Sequence, residues 1–221
     1  MPIISPSLPA TSFGEIQSLI DKLEGVITLF QVDIVDGVFV PPVSWPFTEN
    51  DPVLALKDLR LLGATVAIEV DCMVDRPEQY VKTLLEAAVV SVIVHWGSTA
   101  EYEGIADMVH AHGSKVGLAI TNDTPLEAVY ALLPKFDFIQ VMGIKTVGAQ
   151  GQPFDERTPE TVATLRSSFP TLPIVIDGAV NSDTITRLKA AGATRFAPGS
   201  AIAKANDPRA AYEQLHVLAC S

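Results

Sequence analysis

The chain has 221 residues, 48% of them hydrophobic, which is enough to build the core of one domain, and we expect residues 1–221 to form a single domain. Its formal net charge of -11 at pH 7 argues against a nucleic acid or an anionic membrane as partner, because both are bound through clustered Lys and Arg. Two cysteines, no apolar run of the roughly 18 residues of a membrane span, and no basic leader predict a cytoplasmic protein without a disulfide framework.

Short apolar runs rich in β-branched residues alternate with longer segments of helical period along the chain. The predicted strands are residues 3–7, 28–33, 65–71, 90–95, 115–120, 136–142, 174–177 and 195–197. The predicted helices are residues 12–23, 51–62, 77–87, 100–112, 125–133, 159–168, 182–191 and 207–218. Eight such units, with no Gly-x-Gly-x-x-Gly after the first strand, favour a closed α/β barrel, the (β/α)8 TIM barrel, over an open doubly wound sheet.

Glycines mark three of the predicted helix ends. Gly63, Gly113 and Gly192 each follow a helical segment and precede a strand. We expect each of them to adopt the left-handed conformation that commonly ends a helix.

Acidic side chains collect near the C-terminal ends of the predicted strands, where barrels of this kind carry their functional groups. Because strand side chains alternate, Gln31, Asp33, Asp71 and Asp177 should converge at the barrel mouth, with Glu69 one layer deeper. Unpaired carboxylates are costly to bury, and a metal ion or shared protons could offset their repulsion.

Two glycine-containing loops near the end of the chain predict a phosphate site. Residues 177–181 follow the seventh strand and residues 197–202 follow the eighth, so Gly178, Ala179, Gly199 and Ser200 should lie where such barrels bind phosphate. The long loop 143–155, with Gly148 and Gly151, is interpreted either as a lid over a ligand or as an ordinary flexible loop.

Several polar residues have a structural interpretation beside a functional one. Asp36 and Gly37 are most simply a turn, and Glu69 is most simply a structural acid. His95 at a strand end is either a hydrogen-bonded core histidine or a substrate contact. Lys145 in the long loop either neutralises an anion or is solvated.

Motifs along the chain resemble the ribulose-phosphate 3-epimerase family over residues 4 to about 211. The similar segments are Ile-Ser-Pro-Ser-Leu at 4–8, Val-Asp-Ile-Val-Asp-Gly-Val-Phe-Val-Pro at 32–41, Cys-Met-Val at 72–74, Gly-Gln-Pro-Phe at 151–154, Asp-Gly at 177–178 and Gly-Ser-Ala-Ile at 199–202. The resemblance implies a ribulose-phosphate-binding TIM barrel in which Asp33 is the base, Asp177 the acid and both are metal ligands. It also implies substrate contacts from Ser7, Met73, His95, Met142, Gly148, Gly151, Gly178, Ala179, Gly199 and Ser200.

The chain departs from the family where the resemblance implies two histidine ligands, because Gln31 and Asp71 stand there. The implied metal ligands are then Gln31, Asp33, Asp71 and Asp177, an all-oxygen set that suits Mg2+, Mn2+ or Ca2+ better than the Fe2+ or Zn2+ of a site containing imidazole. The alternative is that the metal was lost with the histidines.

The resemblance implies an isomerase that epimerises C3 of a ketose phosphate, a phosphorylated sugar, in the pentose phosphate pathway. Alternatives are an epimerase for another ketose phosphate and a non-catalytic phosphosugar-binding barrel. A sugar-acid phosphate decarboxylase is disfavoured, because Val35 stands where the Asp-x-Lys-x-x-Asp strand of those barrels has Lys. The sequence leaves open whether the chain forms a homo-oligomer.

Overall fold

The structure, a computed structural model, describes residues 3–63, 66–148 and 151–221. The strand segments are β1 Ile3–Ile4, β2 Ser7–Leu8, β3 Leu29–Val35, β4 Ala67–Met73, β5 Ser91–His95, β6 Lys115–Ile120, β7 Phe138–Met142, β8 Ile174–Asp177 and β9 Arg195–Ala197. The helices are α1 Phe13–Lys22, α2 Pro52–Leu56, α3 Leu59–Leu62, α4 Glu78–Glu86, α5 Tyr102–Ala111, α6 Leu126–Tyr130, α7 Thr158–Ser168, α8 Ile185–Ala191, α9 Ser200–Ala203 and α10 Pro208–Cys220, with a 3-10 turn at Leu133–Lys135.

The strands form a closed parallel barrel, because β1 and β2 are two halves of one interrupted strand. β1 pairs with β9 and β2 pairs with β3, and each remaining strand pairs with the next along the chain. At the interruption, the Pro6 carbonyl accepts a hydrogen bond from the backbone amide of Gln31 at 2.9 Å, and the backbone amide of Ser7 donates to the Pro198 carbonyl at 3.2 Å. The predicted (β/α)8 TIM barrel is confirmed.

The alternation of strand side chains separates an outer apolar layer from the barrel interior. Outward residues such as Val32, Val70 and Ile176 are buried in the main hydrophobic core with the helices. A second apolar cluster consists of Ile93, Ala119, Phe138 and Val175, whose side chains fill the interior from four strands. Several other interior positions are polar, and they form the site described below.

A buried ion pair fills the barrel interior below the mouth. Arg195 Nη2 lies 2.6 and 2.7 Å from the two carboxylate oxygens of Glu69, and the Ser91 hydroxyl donates to the same carboxylate. The guanidinium also lies 4.4 Å above the Phe138 ring. This pairing gives Glu69 the structural role that the sequence suggested.

Some element boundaries differ from the prediction. The predicted helix 51–62 is two short helices, α2 and α3, and the four-residue helix α9 was not predicted. Gly113 and Gly192 have the expected positive φ of 82° and 115°, but the expectation for Gly63 is wrong, since its φ is -63°. The strand predicted to start at residue 65 begins at Ala67, and residue 65 itself lies outside the described residues.

Candidate active site

Three carboxylates meet at the barrel mouth. Asp33 lies near the end of β3, Asp71 near the end of β4 and Asp177 at the end of β8. One ligand oxygen from each lies within 4.8 Å of the others, and the residues are 4%, 0% and 5% exposed. β3 and β4 are neighbours with Asp33 opposite Asp71, whereas Asp177 comes from the other side of the barrel seam.

Gln31 bridges the two carboxylates that the resemblance assigns to proton transfer. Its Nε2 donates to Asp33 Oδ1 at 2.9 Å and to Asp177 Oδ2 at 3.0 Å. The Gln31 side chain is fully buried. It lies two residues before Asp33 on the same face of β3, and its amide lies between the two acids. The predicted convergence of these four polar residues is confirmed.

Asp71 is held by two further side chains. His95 Nε2 lies 2.8 Å from Asp71 Oδ1, and Gln140 Nε2 donates to Asp71 Oδ2 at 2.8 Å. The sequence interpretation missed Gln140, although a signal was present: Gln140 is a lone polar residue in an apolar strand, two positions before Met142 and therefore on the same inward face.

Burial and crowding change the acidity of the site. The pKa of Asp33 is raised well above 3.8, first by burial and then by the charges of Asp177 and Asp71, while the hydrogen bond from Gln31 acts in the opposite direction. The pKa of Asp177 is raised to about 7, chiefly by burial and then by Asp71. At neutral pH the pair can therefore hold a proton and still present an ionised carboxylate.

A narrow cleft opens above the carboxylates. Nearly all of the predicted substrate-contacting residues line it, together with both acids. The lining includes Ser7, Asp33, Met73, Met142, Gly148, Gly151, Asp177, Gly178, Ala179, Gly199 and Ser200. Among the described residues that line this cleft there is no Lys or Arg.

The turn after β8 has an uncommon backbone conformation. Gly178 and Ala179 both have positive φ, 94° and 54°, and such a conformation is rare for a residue with a Cβ. The Ala179 carbonyl accepts from the Thr184 hydroxyl at 2.8 Å and from the Asn181 side chain at 3.2 Å, so the turn is tied to the start of α8. Consecutive amides in turns of this kind can form a concave anion site.

The loops after β3 and β7 meet over the barrel mouth. Val35, Met73, Met142 and Val147 form a small apolar cluster there, against which Phe39 and Val40 pack. Within the predicted lid, residues 149–150 lie outside the described residues, whereas Gly148 closely approaches the loop after β3.

Asp36 and Gly37 form a turn, as predicted. Asp36 Oδ1 accepts from the amides of Val38 and Phe39 at 2.8 and 2.9 Å, and Gly37 has a φ of 75°. Asp36 Oδ2 also accepts from the Asp75 amide at 2.8 Å, which joins the loops after β3 and β4.

His95 and Lys145 do not line the main cleft. Both belong to the wall of a neighbouring cavity, with Trp96, Thr121 and Thr124. His95 is buried and contacts Asp71, so its predicted substrate contact remains a prediction, and Lys145 is exposed.

The side chains at the mouth suit a hard divalent cation. Three carboxylates lie close enough together to share one ion, and the Gln31 Oε1 atom is buried without a hydrogen-bond partner among the described residues. Carboxylate and amide oxygens are the ligands that Mg2+, Mn2+ and Ca2+ prefer. The aspartate triad could therefore hold a metal ion.

Solved structures share the fold of this chain. The crystal structure of 3-hexulose-6-phosphate synthase from Salmonella typhimurium superposes with a TM-score of 0.74 at 17% identity, covering 100% of this chain and 99% of that one. At this identity the likeness shows the fold alone. No described helix is both long and apolar enough to span a bilayer.

The chain belongs to the ribulose-phosphate 3-epimerase family. The model for the ribulose-phosphate 3 epimerase family matches residues 3–203. The ribulose-phosphate 3-epimerase of Mycobacterium tuberculosis (strain ATCC 25618 / H37Rv) is 32% identical over 220 residues, covering 97% of this chain and 91% of the relative. That of Schizosaccharomyces pombe is 29% identical over 208 residues, covering 93% and 88%.

Proposed function

We propose that this protein epimerises C3 of a ketose phosphate, with ribulose 5-phosphate as the first substrate to test, by proton transfer between Asp33 and Asp177. The observation that carries the proposal is the placement of these two acids. They reach one cleft from β3 and from β8, and a single Gln31 amide donates to both. The relatives named ribulose-phosphate 3-epimerase support the same reaction.

Substrate binding would place the phosphate against the turns after β8 and β9. Gly178 and Ala179 from one turn and Gly199 and Ser200 from the other line the same cleft. Backbone amides can bind the anion there without Lys or Arg, which agrees with the acidic composition of the chain. Ser7 and Met73 would then contact the sugar carbons between the phosphate and the acids.

The proton transfers require one acid in each protonation state. Ionised Asp33 takes the proton from C3, which is acidic because the neighbouring carbon is a ketone, and Asp177 gives its proton to the opposite face. The raised pKa of each acid in the metal-free site supports this exchange, because it lets the pair hold a proton near neutral pH. The product leaves with inverted C3, and the reverse reaction exchanges the two roles.

We propose Gln31, Asp33, Asp71 and Asp177 as the ligands of a divalent cation, Mg2+ or Mn2+ in preference to Zn2+ or Fe2+, because the donor atoms are all oxygen. When bound, such a cation supplies positive charge that stabilises the enediolate formed by loss of the C3 proton. His95 contributes by fixing the carboxylate of Asp71 through its 2.8 Å contact.

The test is proton exchange at C3 in heavy water, followed by NMR with ribulose 5-phosphate and with added Mg2+, Mn2+ or Zn2+. The wild-type chain should incorporate deuterium at C3 and form xylulose 5-phosphate. Asp33→Asn and Asp177→Asn should each lower the rate by at least about a hundredfold, since a positioned acid or base contributes roughly 10²–10⁴. Glu156→Gln, which removes a surface carboxylate paired with Arg187, is the matched control and should leave the rate unchanged.

Two results would contradict the proposal. Unchanged turnover in both Asn variants would exclude the acid pair as the catalyst. Binding of the ketose phosphate without any C3 exchange, under every metal tested, would identify a non-catalytic phosphosugar-binding barrel instead.

A further inference from the structure

Two glutamine oxygens at the site are buried without a partner. Gln31 Oε1 and Gln140 Oε1 accept no hydrogen bond from any residue that the structure describes, although both side chains are fully buried. Each amide instead turns its nitrogen towards the aspartates. Buried acceptors without partners are uncommon in folded proteins and call for an explanation, such as an ion.

The distances between these amides and the carboxylates fit a shared cation. Gln140 Nε2 is 2.8 Å from Asp71 Oδ2, and Gln31 Nε2 is 2.9 and 3.0 Å from the other two aspartates. A half-turn about the last side-chain bond exchanges the nitrogen and oxygen of an amide. Adjacent ligand oxygens around an octahedral Mg2+ with bonds of about 2.0–2.1 Å lie about 3 Å apart, so the exchanged oxygens would have the right spacing.

We propose that Gln140 is a fifth oxygen ligand of the cation and that the amides of Gln31 and Gln140 turn over when the cation binds. This inference rests on the metal site of the proposed function and extends it by one residue. Without the cation, the amide nitrogens are the favourable neighbours of the carboxylates, because an oxygen there would be repelled. With it, the amide oxygens become ligands, and His95 continues to orient Asp71.

The amide orientation therefore depends on the positive charge. A ligand shifts a two-state equilibrium only by its differential interaction with the two states. Here that difference is direct: the cation attracts the amide oxygens and would be repelled by the amide hydrogens. Loss of Gln140 should weaken cation binding even where the aspartates are intact.

The experiment measures Mn2+ binding by the whole chain with electron paramagnetic resonance. Gln140→Leu should bind Mn2+ at least about tenfold more weakly than wild type, the lower bound for losing even an indirect contact to a metal. Gln140→Glu, which keeps an oxygen at the position, should retain wild-type affinity or exceed it. Ser91→Ala changes another polar side chain of the barrel interior, paired with Glu69, and should not alter the affinity. Far-UV circular dichroism checks that each variant folds.

A second readout separates a ligand from a residue that only holds Asp71. Protein labelled with 13C at the glutamine side-chain carbonyl is examined by electron-nuclear double resonance with Mn2+ bound. Wild type should show 13C coupling from ligating amides, and Gln140→Leu should lose one of the two contributions. Equal affinity and unchanged coupling in Gln140→Leu would overturn the role of Gln140 while leaving the aspartate site intact.

The remaining outcomes distinguish the inference from the function on which it rests. If wild type binds no Mn2+ at millimolar concentration, the proposed metal ligands and the role of Gln140 both fall, and metal-independent C3 exchange would leave the epimerase proposal standing. If Mn2+ binds with the expected couplings but no C3 exchange occurs, the ligand role stands and the proposed reaction is wrong.

Discussion

Without divalent cations, the chain should become less stable as the pH rises from about 4 to about 7. Burial and the charge of Asp71 raise the pKa of Asp177 from 3.8 to about 7, so in this range the folded state keeps a proton that the unfolded state releases. Unfolding then releases protons, and rising pH favours the unfolded state. The contribution is fully present below pH 3.8 and is lost as the pH rises through the folded-state pKa.

The size of the effect follows from the shift. A pKa raised from 3.8 to about 7, at about 1.36 kcal/mol per pKa unit, corresponds to an effect on the order of 4 kcal/mol on the unfolding free energy. Asp33 acts in the same direction, since its pKa is also raised. Domains are typically stable by only about 5–15 kcal/mol, so the loss should be large.

The assay is urea unfolding followed by circular dichroism in EDTA between pH 4.5 and pH 8. Asp177→Asn stays neutral at every pH, so the variant should lose much of the slope and be more stable than wild type at pH 8. Added Mn2+ should restore wild-type stability at pH 8, because a ligand that binds only the folded state stabilises it. A wild-type stability that is flat or rises over this range, or the same slope in Asp177→Asn, would refute the reasoning.

Three further outcomes follow from contacts around the site. Arg195→Met should lower the free energy of unfolding, measured with urea, by about 3 kcal/mol, because it leaves the buried Glu69 carboxylate without its ion-pair partner. This explanation requires a smaller loss in the double variant Arg195→Met, Glu69→Leu. Gly148→Ala should destabilise the chain by about 1 kcal/mol or more, since φ of Gly148 is +93° and a Cβ would lie 2.7 Å from the Pro41 carbonyl oxygen. The thermal unfolding temperature should fall, and an unchanged unfolding temperature would contradict this prediction. Asp155→Asn should destabilise the chain at pH 7 and do so less near pH 3. Arg157 lowers the pKa of Asp155 to about 2, and the stabilisation disappears as this carboxyl group is protonated. A difference in unfolding free energy between wild type and variant that grows on acidification would contradict this reasoning.

The barrel could be predicted from the sequence because its strands and helices are encoded by patterns within short segments of the chain. Strand and helix periods alternate eight times, and two strands carry polar residues at two-residue spacing near their ends, at positions 31 and 33 and at positions 69 and 71. Alternation along the strands predicts that Asp33, Asp71 and Asp177 lie on the inner face of the barrel. The short helices were harder, since the break between α2 and α3 is marked by neither Pro nor Gly.

Contacts between distant strands could not be predicted in this way. The pairing of Glu69 with Arg195 joins residues 126 positions apart, and neither strand alone indicates a partner. Gln140 and Asp71 are 69 positions apart, and only the closed barrel shows that the Gln140 amide donates to the Asp71 carboxylate. The orientation of the Gln31 side chain could not be predicted either, because it depends on two acids from different strands.

The split first strand also sets the order in which the molecule can be completed. Its two halves, β1 and β2, hydrogen bond to β9 and to β3, so the segment synthesised first has to wait for one of the segments synthesised last. Pairings of such long sequence separation form slowly, and a chain emerging from the ribosome would carry an open-edged sheet until residue 197 is available. Ser7 is already paired with β3, and its amide gains its bond to the carbonyl of Pro198 only when the barrel closes. Affinity for the proposed sugar phosphate is therefore a reporter of barrel closure, and a nascent or truncated chain lacking β9 should be unable to bind it.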